Sequence, residues 1–342
     1  AAHVIPELLQ NADDVGGDCT KAVIRLRDEE LVIENDGARM SETEVKALGE
    51  FAESTKHDLS QIGHFGIGFK TVFSVTDRPH IDSGYTSLEY TEADPEIPQA
   101  AFDGTEAEFE GTRVRLPFSE DISDTRLEEL QSQLDAIDRL LPFLNNLQTI
   151  TVKRGGETTR YERIDATEGG NGRVTVREYA HPGDETPTKT WHYRLLTKSL
   201  DVTSETVRQL AEERDLDPEA LAGRDVDIDV ELAFPVSDQD YPVEHEESRL
   251  FCYFPTSGEI NLPFDVQADF LLKSSREQIR PGHPINDKFL SIAGALTANA
   301  IRSFQSDGVP PDELLTLIPD ASVDRPSYLT PLTNEVFDAI SE

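Results

Sequence analysis

The chain has 342 residues, enough for two packed domains, and its hydrophobic fraction of 37% is compatible with folded cores. Its net charge is −36, from 67 acidic against 31 basic residues, and no basic stripe suited to duplex DNA is present. No apolar run approaches the roughly 20 residues that a membrane-spanning helix needs. The composition therefore argues against a membrane protein and disfavours nucleic acid as a partner of this chain.

The acidic residues are spread over nearly every segment, and nine lysines stand against twenty-two arginines. Clustered runs would mark a site for basic partners, whereas this dispersed pattern favours a surface adapted to high intracellular salt. At molar salt the Debye length falls to about 3 Å, so the self-repulsion becomes tolerable. The only cysteines, Cys19 and Cys252, lie far apart without metal-ligand spacing, which predicts a reducing compartment. We therefore expect a cytoplasmic protein of a halophile.

The first predicted element is an amphipathic helix over Val4–Asp14, and because AAHVIPELLQ is typical of a helix middle, we expect the natural N-terminus upstream. Glu7, Asn11 and Asp14 recur at i, i+4 and i+7 on one face of this helix. Beside a nucleotide, Asn11 could offer an oxygen to Mg²⁺, and Glu7 could deprotonate the water that attacks the terminal phosphate. A solvated helix face explains the same pattern in an acidic protein.

Residues 62–77, IGHFGIGFKTVFSVTD, form the most distinctive stretch of the chain. Gly63, Gly66 and Gly68 would let backbone N–H groups approach a ligand closely. A buried helix starting near residues 65–70 would then direct its orphan amides and positive dipole end at an anion. The stretch predicts a phosphate cradle, although a plain tight turn accounts for the glycines equally well when the segment is taken alone.

The rest of the chain predicts alternating strands and helices. Predicted strands occupy residues 22–27, 30–34, 87–90, 107–109, 112–117, 147–153, 161–164, 173–179, 190–196, 225–233, 250–255 and 270–272. Further predicted helices occupy residues 41–51, 124–141, 205–214, 286–304, 313–318 and 333–340. Pro142 ends the helix at 124–141, and we expect a domain boundary there.

Four motifs occur in order and with fitting gaps in the first third of the chain: ELLQNADD (7–14), NDGARM (35–40), GHFGIGF (63–69) and GTRVRLP (111–117). Together they resemble the four ATP-binding boxes of the GHKL superfamily, which groups gyrase, the ninety-kilodalton heat-shock chaperone, histidine kinases and MutL. Within this superfamily the chain is most similar to the sacsin-like, heat-shock-chaperone-like branch. The similarity lies in the NDG turn, the loop at Ser54-Thr55-Lys56 and the amino-acid sequence of residues 62–77.

The resemblance implies an α+β fold in two domains. Residues 1–120 would form a Bergerat-type ATP-binding α/β sandwich, with the nucleotide between helices and under a lid near residues 50–65. Residues 121–145 would form a connecting helix. Residues 146–342 would form a second α+β domain that resembles the chaperone middle domain and ends in C-terminal helices.

The resemblance also implies that the cofactors are ATP and Mg²⁺. Glu7 would be the catalytic base, Asn11 the Mg²⁺ ligand, Asp14 a border of the adenosine pocket, and Thr112 a support for the water network at the adenine. The other implied cofactor-binding residues on the phosphate side are Lys56, Gly63, His64, Phe65, Gly66, Ile67, Gly68, Phe69 and Lys70.

The NDG turn would read the adenine, with Gly37 letting the backbone approach the base and Met40 packing on it. Aligned on the family's Asp-x-Gly-x-Gly-Met turn, Asn35 takes the place of the adenine-reading carboxylate and Asp36 follows it. The Asn35 amide can still accept from an exocyclic amine and donate to a ring nitrogen. Arg39 replaces the second glycine of the turn. Which of Asn35 and Asp36 reads the adenine stays open.

A second resemblance lies in LPFDVQADFLLKSSREQIRPGHPIND (262–287). In the chaperone middle domain a Ser-Arg-Glu likewise follows a strand and precedes a long helix. Its arginine reaches the γ-phosphate of the ATP bound next door, so the resemblance implies that Arg276 is a catalytic arginine finger. A local pair with Glu277 is the alternative, and Lys273 and Arg280 are weaker candidates.

Three functions are compatible with these residues. The first is a slow, Mg²⁺-dependent ATPase whose output is conformational. It would be chaperone-like or sacsin-like, would act on protein clients or within a defence, repair or chaperone assembly, and could form a homodimer. The second is an ATP-binding scaffold that does not turn over. The third is a MutL- or gyrase-like DNA-processing module, which would need a basic groove in the second domain.

Overall fold

The computed structural model describes residues 3–14, 19–40, 70–84, 86–90, 95–96, 109–165, 172–200, 205–213, 228–245, 247–273 and 277–341. The fold is mixed α+β and divides into two compact units. Unit 1 comprises Ala1–Arg163 and Val176–Thr190, and unit 2 comprises Ile164–Thr175 and Trp191–Glu342. The helix predicted at 41–51 lies outside the described residues.

The described helices of unit 1 are α1 (Val4–Asp14), α2 (Asp124–Asp135) and α3 (Ile137–Leu140), with 3₁₀ turns at Lys70–Ser74 and Leu141–Phe143. Helix α1 has the bounds predicted from its apolar spacing. Its first turn is capped from α2, because the Ile5 N–H donates to Gln133 Oε1 at 3.0 Å. This bond and the buried apolar face of α1 fix the helix in unit 1.

The helix predicted as one piece over residues 124–141 is in fact broken at Ala136, where φ is −100° and ψ is 11°. In a continuous helix Leu140 would point about 120° away from Leu134. The break allows Leu134, Ile137 and Leu140 all to be buried. Pro142 lacks an N–H, so the end of the segment tightens into a 3₁₀ turn.

The sheet of unit 1 is mixed, and its strands lie in the order β8-β7-β1-β2-β6-β3-β4-β5. The strands are β1 (Lys21–Leu26), β2 (Glu30–Asn35), β3 (His80–Gly84), β4 (Thr86–Tyr90), β5 (Pro95–Glu96), β6 (Phe109–Pro117), β7 (Thr149–Arg154) and β8 (Glu157–Asp165). Strand β1 runs parallel to β7 and antiparallel to β2, and the remaining described neighbours are antiparallel.

The two faces of this sheet differ in chemistry, as the strand alternation predicts. One face carries buried apolar rows in register across β1, β2, β6 and β3: Ile24, Ile33, Val114 and Ile81. The other face carries an ion-paired ladder in which Glu34 accepts from Arg25 and from Arg113. Burial of Glu34 acts to raise its pKa, but the hydrogen bonds from both arginines bring that pKa below its usual value.

Unit 2 contains most of strand β10 (Lys189–Leu200) and the first residues of β9 (Arg173–Tyr179). Its sheet continues from β10 in the order β11 (Ile228–Val236), β13 (Asp265–Gln267) and β12 (Leu250–Phe251). The short strand β13 was not predicted. The strand predicted at 270–272 is only a bridge between Leu272 and Ile279, so that prediction is wrong.

The described helices of unit 2 are α4 (Glu205–Glu213), α5 (Pro284–Ser306), α6 (Pro311–Leu314) and α7 (Thr330–Ser341). Helices α5 and α7 cross closely at Gly294, where an added Cβ would lie 2.5 Å from the Leu332 carbonyl oxygen. The core beside α5 contains Phe234, Phe264, Phe289 and Phe304, all fully buried. Among the described helices, none is both long and apolar enough to cross a membrane.

Arg194 is the largest charged side chain buried in unit 2, with a relative exposure of 2%. Its guanidinium donates to Asp307 Oδ2 at 2.8 Å and to Asp240, and it lies 3.9 Å from the centroid of the Phe304 ring. A buried cation that pairs with two carboxylates and stacks on an aromatic face ties strand β10 to the end of α5. We therefore read this cluster as structural.

Candidate functional site

The apolar face of the unit 1 sheet ends in a polar row. The register places Asn35 of β2 opposite Thr112 of β6, Thr112 opposite Ser83 of β3, and Ser83 opposite Thr86 of β4. Thr112, Ser83 and Thr86 are buried at 6%, 1% and 7% exposure. Buried hydroxyl groups cost free energy unless they are hydrogen-bonded. A row of buried hydroxyl groups at the edge of an apolar core therefore indicates a position where these hydroxyls form hydrogen bonds with polar groups.

Ser83 is the centre of this row. Its Oγ lies 2.9 Å from Thr112 Oγ1, accepts a hydrogen bond from the Met40 N–H at 2.9 Å, and donates to the Gly111 carbonyl oxygen at 3.1 Å. The strand pairing shifts register between Ser83 and Gly84, so β6 bulges at this point. Ser83 was not among the residues predicted from the sequence, yet it joins two that were.

The NDG turn gives its two polar side chains different tasks. The Asp36 carboxylate accepts from the backbone N–H groups of Thr20 and Lys21 at 2.8 and 2.7 Å, and also from the Thr20 hydroxyl. It therefore caps the start of β1. The Asn35 Oδ1 accepts from the Gly37 N–H at 3.1 Å, which is a local Asx-type bond. The carboxylate is committed to the protein, whereas an asparagine amide can form about four hydrogen bonds, of which the bond from Gly37 uses one.

Gly37 is explained by packing inside the protein. A Cβ at Gly37 would lie 2.9 Å from the Cβ of Cys19, which is fully buried behind the turn. Burial, and then the carboxylates of Asp36 and Asp13, raise the pKa of the Cys19 thiol to about 12. Cys19 is thus an unreactive thiol that lies close to both the NDG turn and the C-terminal end of α1.

Two further glycines allow the close approach of backbone around the turn. Gly111 has φ of +85°, and a Cβ there would lie 2.0 Å from the Asn35 carbonyl oxygen. Gly84 has φ of +57°, and a Cβ there would lie 2.5 Å from the Arg39 Cδ. The bulky Arg39 is accommodated because Gly84 has no side chain.

Helix α1 presents the predicted Glu7, Asn11 and Asp14 away from its buried apolar face. Glu7 and Asn11 are partly buried, and Asp14 is exposed. The anchor of the helix end is the neighbouring Asp13, which is only 4% exposed. Within the described ranges, His, Cys, Asp and Glu side chains form no group of three that could hold a metal. The Mg²⁺ prediction therefore depends on Asn11 together with phosphate oxygens.

Asp13 binds the backbone of the loop that follows the 3₁₀ turn at Leu141–Phe143. Its carboxylate accepts from the N–H groups of Asn145, Asn146 and Leu147, each at 2.7 Å. The Asn146 side chain donates back to the Asp13 carbonyl at 2.8 Å. Nothing in the sequence distinguishes Asp13 from Asp14, whereas in the structure Asp13 is set apart by its burial and by three charge-assisted hydrogen bonds.

The end of the glycine-rich stretch lies beside α1. Lys70–Ser74 forms a 3₁₀ turn that packs against this helix, with Val72 and Val75 fully buried. Phe73 is 44% exposed, so the prediction of a wholly buried helix is wrong at this position. The predicted Lys56, Gly63, His64, Phe65, Gly66, Ile67, Gly68 and Phe69 lie outside the described residues, as does the Lys70 side chain.

Arg276 also lies outside the described residues, but both flanking segments are described. Leu272 pairs with Ile279 in an antiparallel bridge. Asn286, with no exposed surface, accepts from the Leu271 N–H at 2.8 Å and donates to the carbonyls of Leu271 and Arg280. The ends of the segment that carries Arg276 are therefore held to α5.

A surface depression in unit 2 is a competing place for a ligand. It is lined by Ala321, Arg325, Pro326, Ser327, Leu329, Thr330, Thr333 and Phe337. The Arg325 guanidinium donates to the carbonyls of Asn261 and Asp320 at 2.7 and 2.6 Å, so its charge is employed within the protein. None of the predicted site residues lines this depression, and the polar row of unit 1 remains the better candidate.

The chain is similar to Protein NO VEIN of Arabidopsis thaliana, with 26% identity over 335 residues that cover 89% of this chain. The matched part is 11% of the relative, so the chain spans about one tenth of the length of that protein. No family model matches the chain.

Proposed function

We propose that unit 1 binds ATP with Mg²⁺ in a Bergerat-type site and hydrolyses it slowly, with a conformational output. The observation that carries this proposal is the juxtaposition of the NDG turn with the polar row at the edge of an apolar sheet face, formed by the partly buried Asn35 and the buried Thr112 and Ser83. Apolar surface with a few convergent polar groups is what a nucleobase site requires. The order of the four motifs in the sequence supports the same assignment.

On the adenine side, the proposal assigns Asn35 as the reader of the base. Asp36 is engaged by three donors at the start of β1, whereas the Asn35 Oδ1 accepts from the Gly37 N–H, a bond that fixes the orientation of its amide. The second lone pair of Asn35 Oδ1 can accept from an exocyclic amine, and its NH₂ can donate to a ring nitrogen. Thr112, in register beside Asn35, supplies the second polar group.

On the phosphate side, α1 supplies both predicted groups from one face. Asn11 would hold Mg²⁺ through its amide oxygen, and the ion would neutralise charge on the phosphates. Glu7, one turn earlier, would orient a water and take its proton. The 3₁₀ turn at Lys70–Ser74 packs against α1, so the end of the glycine-rich stretch lies beside the helix that carries these side chains. Arg276 stays a prediction as the second catalytic residue.

Two other functions are retained as alternatives. The first is a scaffold that binds ATP without hydrolysing it; it would use the same binding residues, but Glu7 would not act as a catalytic base. A MutL- or gyrase-like module would bind DNA, which the net charge of −36 disfavours. A chaperone-like or sacsin-like role within a larger assembly, with protein clients or a second copy of the chain as partner, fits a conformational output.

The assignment of Asn35 is tested by comparing Asn35→Ala with Asp36→Ala. We expect Asn35→Ala to raise the Kd for Mg-ATP by about tenfold or more, because it removes the amide oxygen and the NH₂ group that would meet the base. We expect Asp36→Ala mainly to lower the melting temperature, because two backbone N–H groups of β1 lose their acceptor. Calorimetric titration in molar KCl and thermal denaturation measure the two effects.

The opposite pattern of binding and stability would identify the Asp36 carboxylate, and not Asn35, as the group that contacts the adenine. If Asp36→Ala stayed as stable as the wild type and lost ATP binding, while Asn35→Ala bound normally, then Asp36 would be the reader. Exposed Asp28, in the turn between β1 and β2, provides a matched control for removal of one acidic side chain.

A further inference from the structure

The Ser83 hydroxyl lies among three polar groups, the Gly111 carbonyl, the Met40 N–H and the Thr112 hydroxyl. The first two fix the direction of its hydrogen bond with Thr112. A serine hydroxyl has one proton to donate and two lone pairs that accept. The Gly111 carbonyl, 3.1 Å away, can only accept, so it takes the Ser83 proton. The Met40 N–H, 2.9 Å away, occupies one lone pair.

The remaining lone pair of Ser83 faces Thr112 Oγ1 at 2.9 Å. Since the Ser83 proton is already used, the Thr112 hydroxyl must be the donor in this contact. Both side chains are more than nine-tenths buried, so solvent does not offer an alternative partner. Thr112 Oγ1 therefore keeps only its lone pairs for any other partner, and it acts as a hydrogen-bond acceptor.

We propose that Ser83 is a positioning residue that fixes Thr112 as an acceptor and so makes the site prefer a purine with an amino group at position 6 over one with a carbonyl. This inference rests on the proposed ATP-binding function of the same site. An amino group donates directly to Thr112 Oγ1, whereas a carbonyl would face lone pairs with no proton between them. Rejection by an unpaired acceptor is an effective source of nucleobase specificity.

The test compares ATP with inosine triphosphate, whose base has a carbonyl in place of the amino group at position 6 and a proton on N1; since both differences are the same for every variant, a change of the preference in a variant reports the effect of its own substitution. The measured quantity is the ratio of the two Kd values, from calorimetric titration with Mg²⁺ in molar KCl. In Ser83→Ala the Thr112 hydroxyl is released to donate to the carbonyl. We expect the wild type to prefer ATP, and Ser83→Ala to lose about tenfold of that preference. Ser83→Thr keeps the hydroxyl and should restore the preference.

Ser248→Ala in unit 2 is the matched control. Ser248 is 1% exposed, as Ser83 is, and its Oγ accepts from the Leu262 N–H at 2.8 Å. Both alanine variants should lower the melting temperature, but only Ser83→Ala should change the Kd ratio. An unchanged ratio in a folded, ATP-binding Ser83→Ala would overturn the role of Ser83 and leave the proposed function intact. Failure of the wild type to bind ATP would overturn both.

Discussion

Replacing Glu7 with glutamine should lower the rate of ATP hydrolysis by at least about 100-fold and change the Kd for Mg-ATP by less than about threefold. Glutamine keeps the size of the side chain and its place on the outer face of α1, but it cannot take a proton from the attacking water. The effect should therefore appear in kcat. Phosphate release in molar KCl, measured together with calorimetric ATP binding, separates turnover from affinity.

Gln10 provides a control on the same helix, because it is partly exposed and has no assigned role in the site. Gln10→Ala should hydrolyse ATP at the wild-type rate. Equal phosphate release by Glu7→Gln and the wild type would contradict the assignment of Glu7 as base. If the wild type bound ATP and released no phosphate, the scaffold alternative would be correct.

Replacing Asp13 with alanine should lower the free energy of unfolding of unit 1 by about 3 kcal/mol, since three backbone N–H groups lose a charged acceptor. Asn145, Asn146 and Leu147 all donate to this carboxylate, and Leu147 is fully buried. Loss of the bonds would also free the C-terminal end of α1. Denaturant unfolding in molar KCl, with the midpoint and slope compared between variants, measures the effect.

Asp14→Ala is the control for stability, because it removes the same charge from the adjacent, exposed position. We expect a change of less than about 0.5 kcal/mol, as for most exposed substitutions. Equal stability of the two variants would show that the Asp13 anchor contributes nothing beyond its charge.

Much of the fold could be predicted from the sequence, because its elements follow from local periodicity. The apolar spacing over Val4–Asp14 gives α1 with its observed bounds, and alternation gives β2 and β9 within a residue at each end. The break at Ala136 could not be predicted, since it depends on where the rest of unit 1 buries Leu140. Strand β13 has only three residues, too few for a pattern.

Candidate site residues could be predicted where a motif contains residue types suited to a particular chemistry. They could not be predicted where a residue's role depends on its hydrogen-bond partners in the fold. Asn35 and Thr112 were recognised from their motifs, and their register pairing is a property of the fold. Ser83 lies in an ordinary strand sequence, HIDSG, and only its three hydrogen bonds single it out. The different hydrogen bonding of Asn35 and Asp36 likewise depends on Thr20 and Lys21. These residues are distant in the sequence but lie beside the turn and donate to Asp36.

The most direct measurement is a calorimetric titration of ATP into the wild-type chain in molar KCl, with and without Mg²⁺. The high salt is chosen because it screens the self-repulsion of a chain with a net charge of −36. An ATP site in unit 1 predicts saturable binding of one ATP per chain, with a Kd below about 1 mM, strengthened by Mg²⁺ and weakened by Asn35→Ala. Absence of saturable heat at several times that concentration, with the chain shown to be folded by circular dichroism, would contradict it.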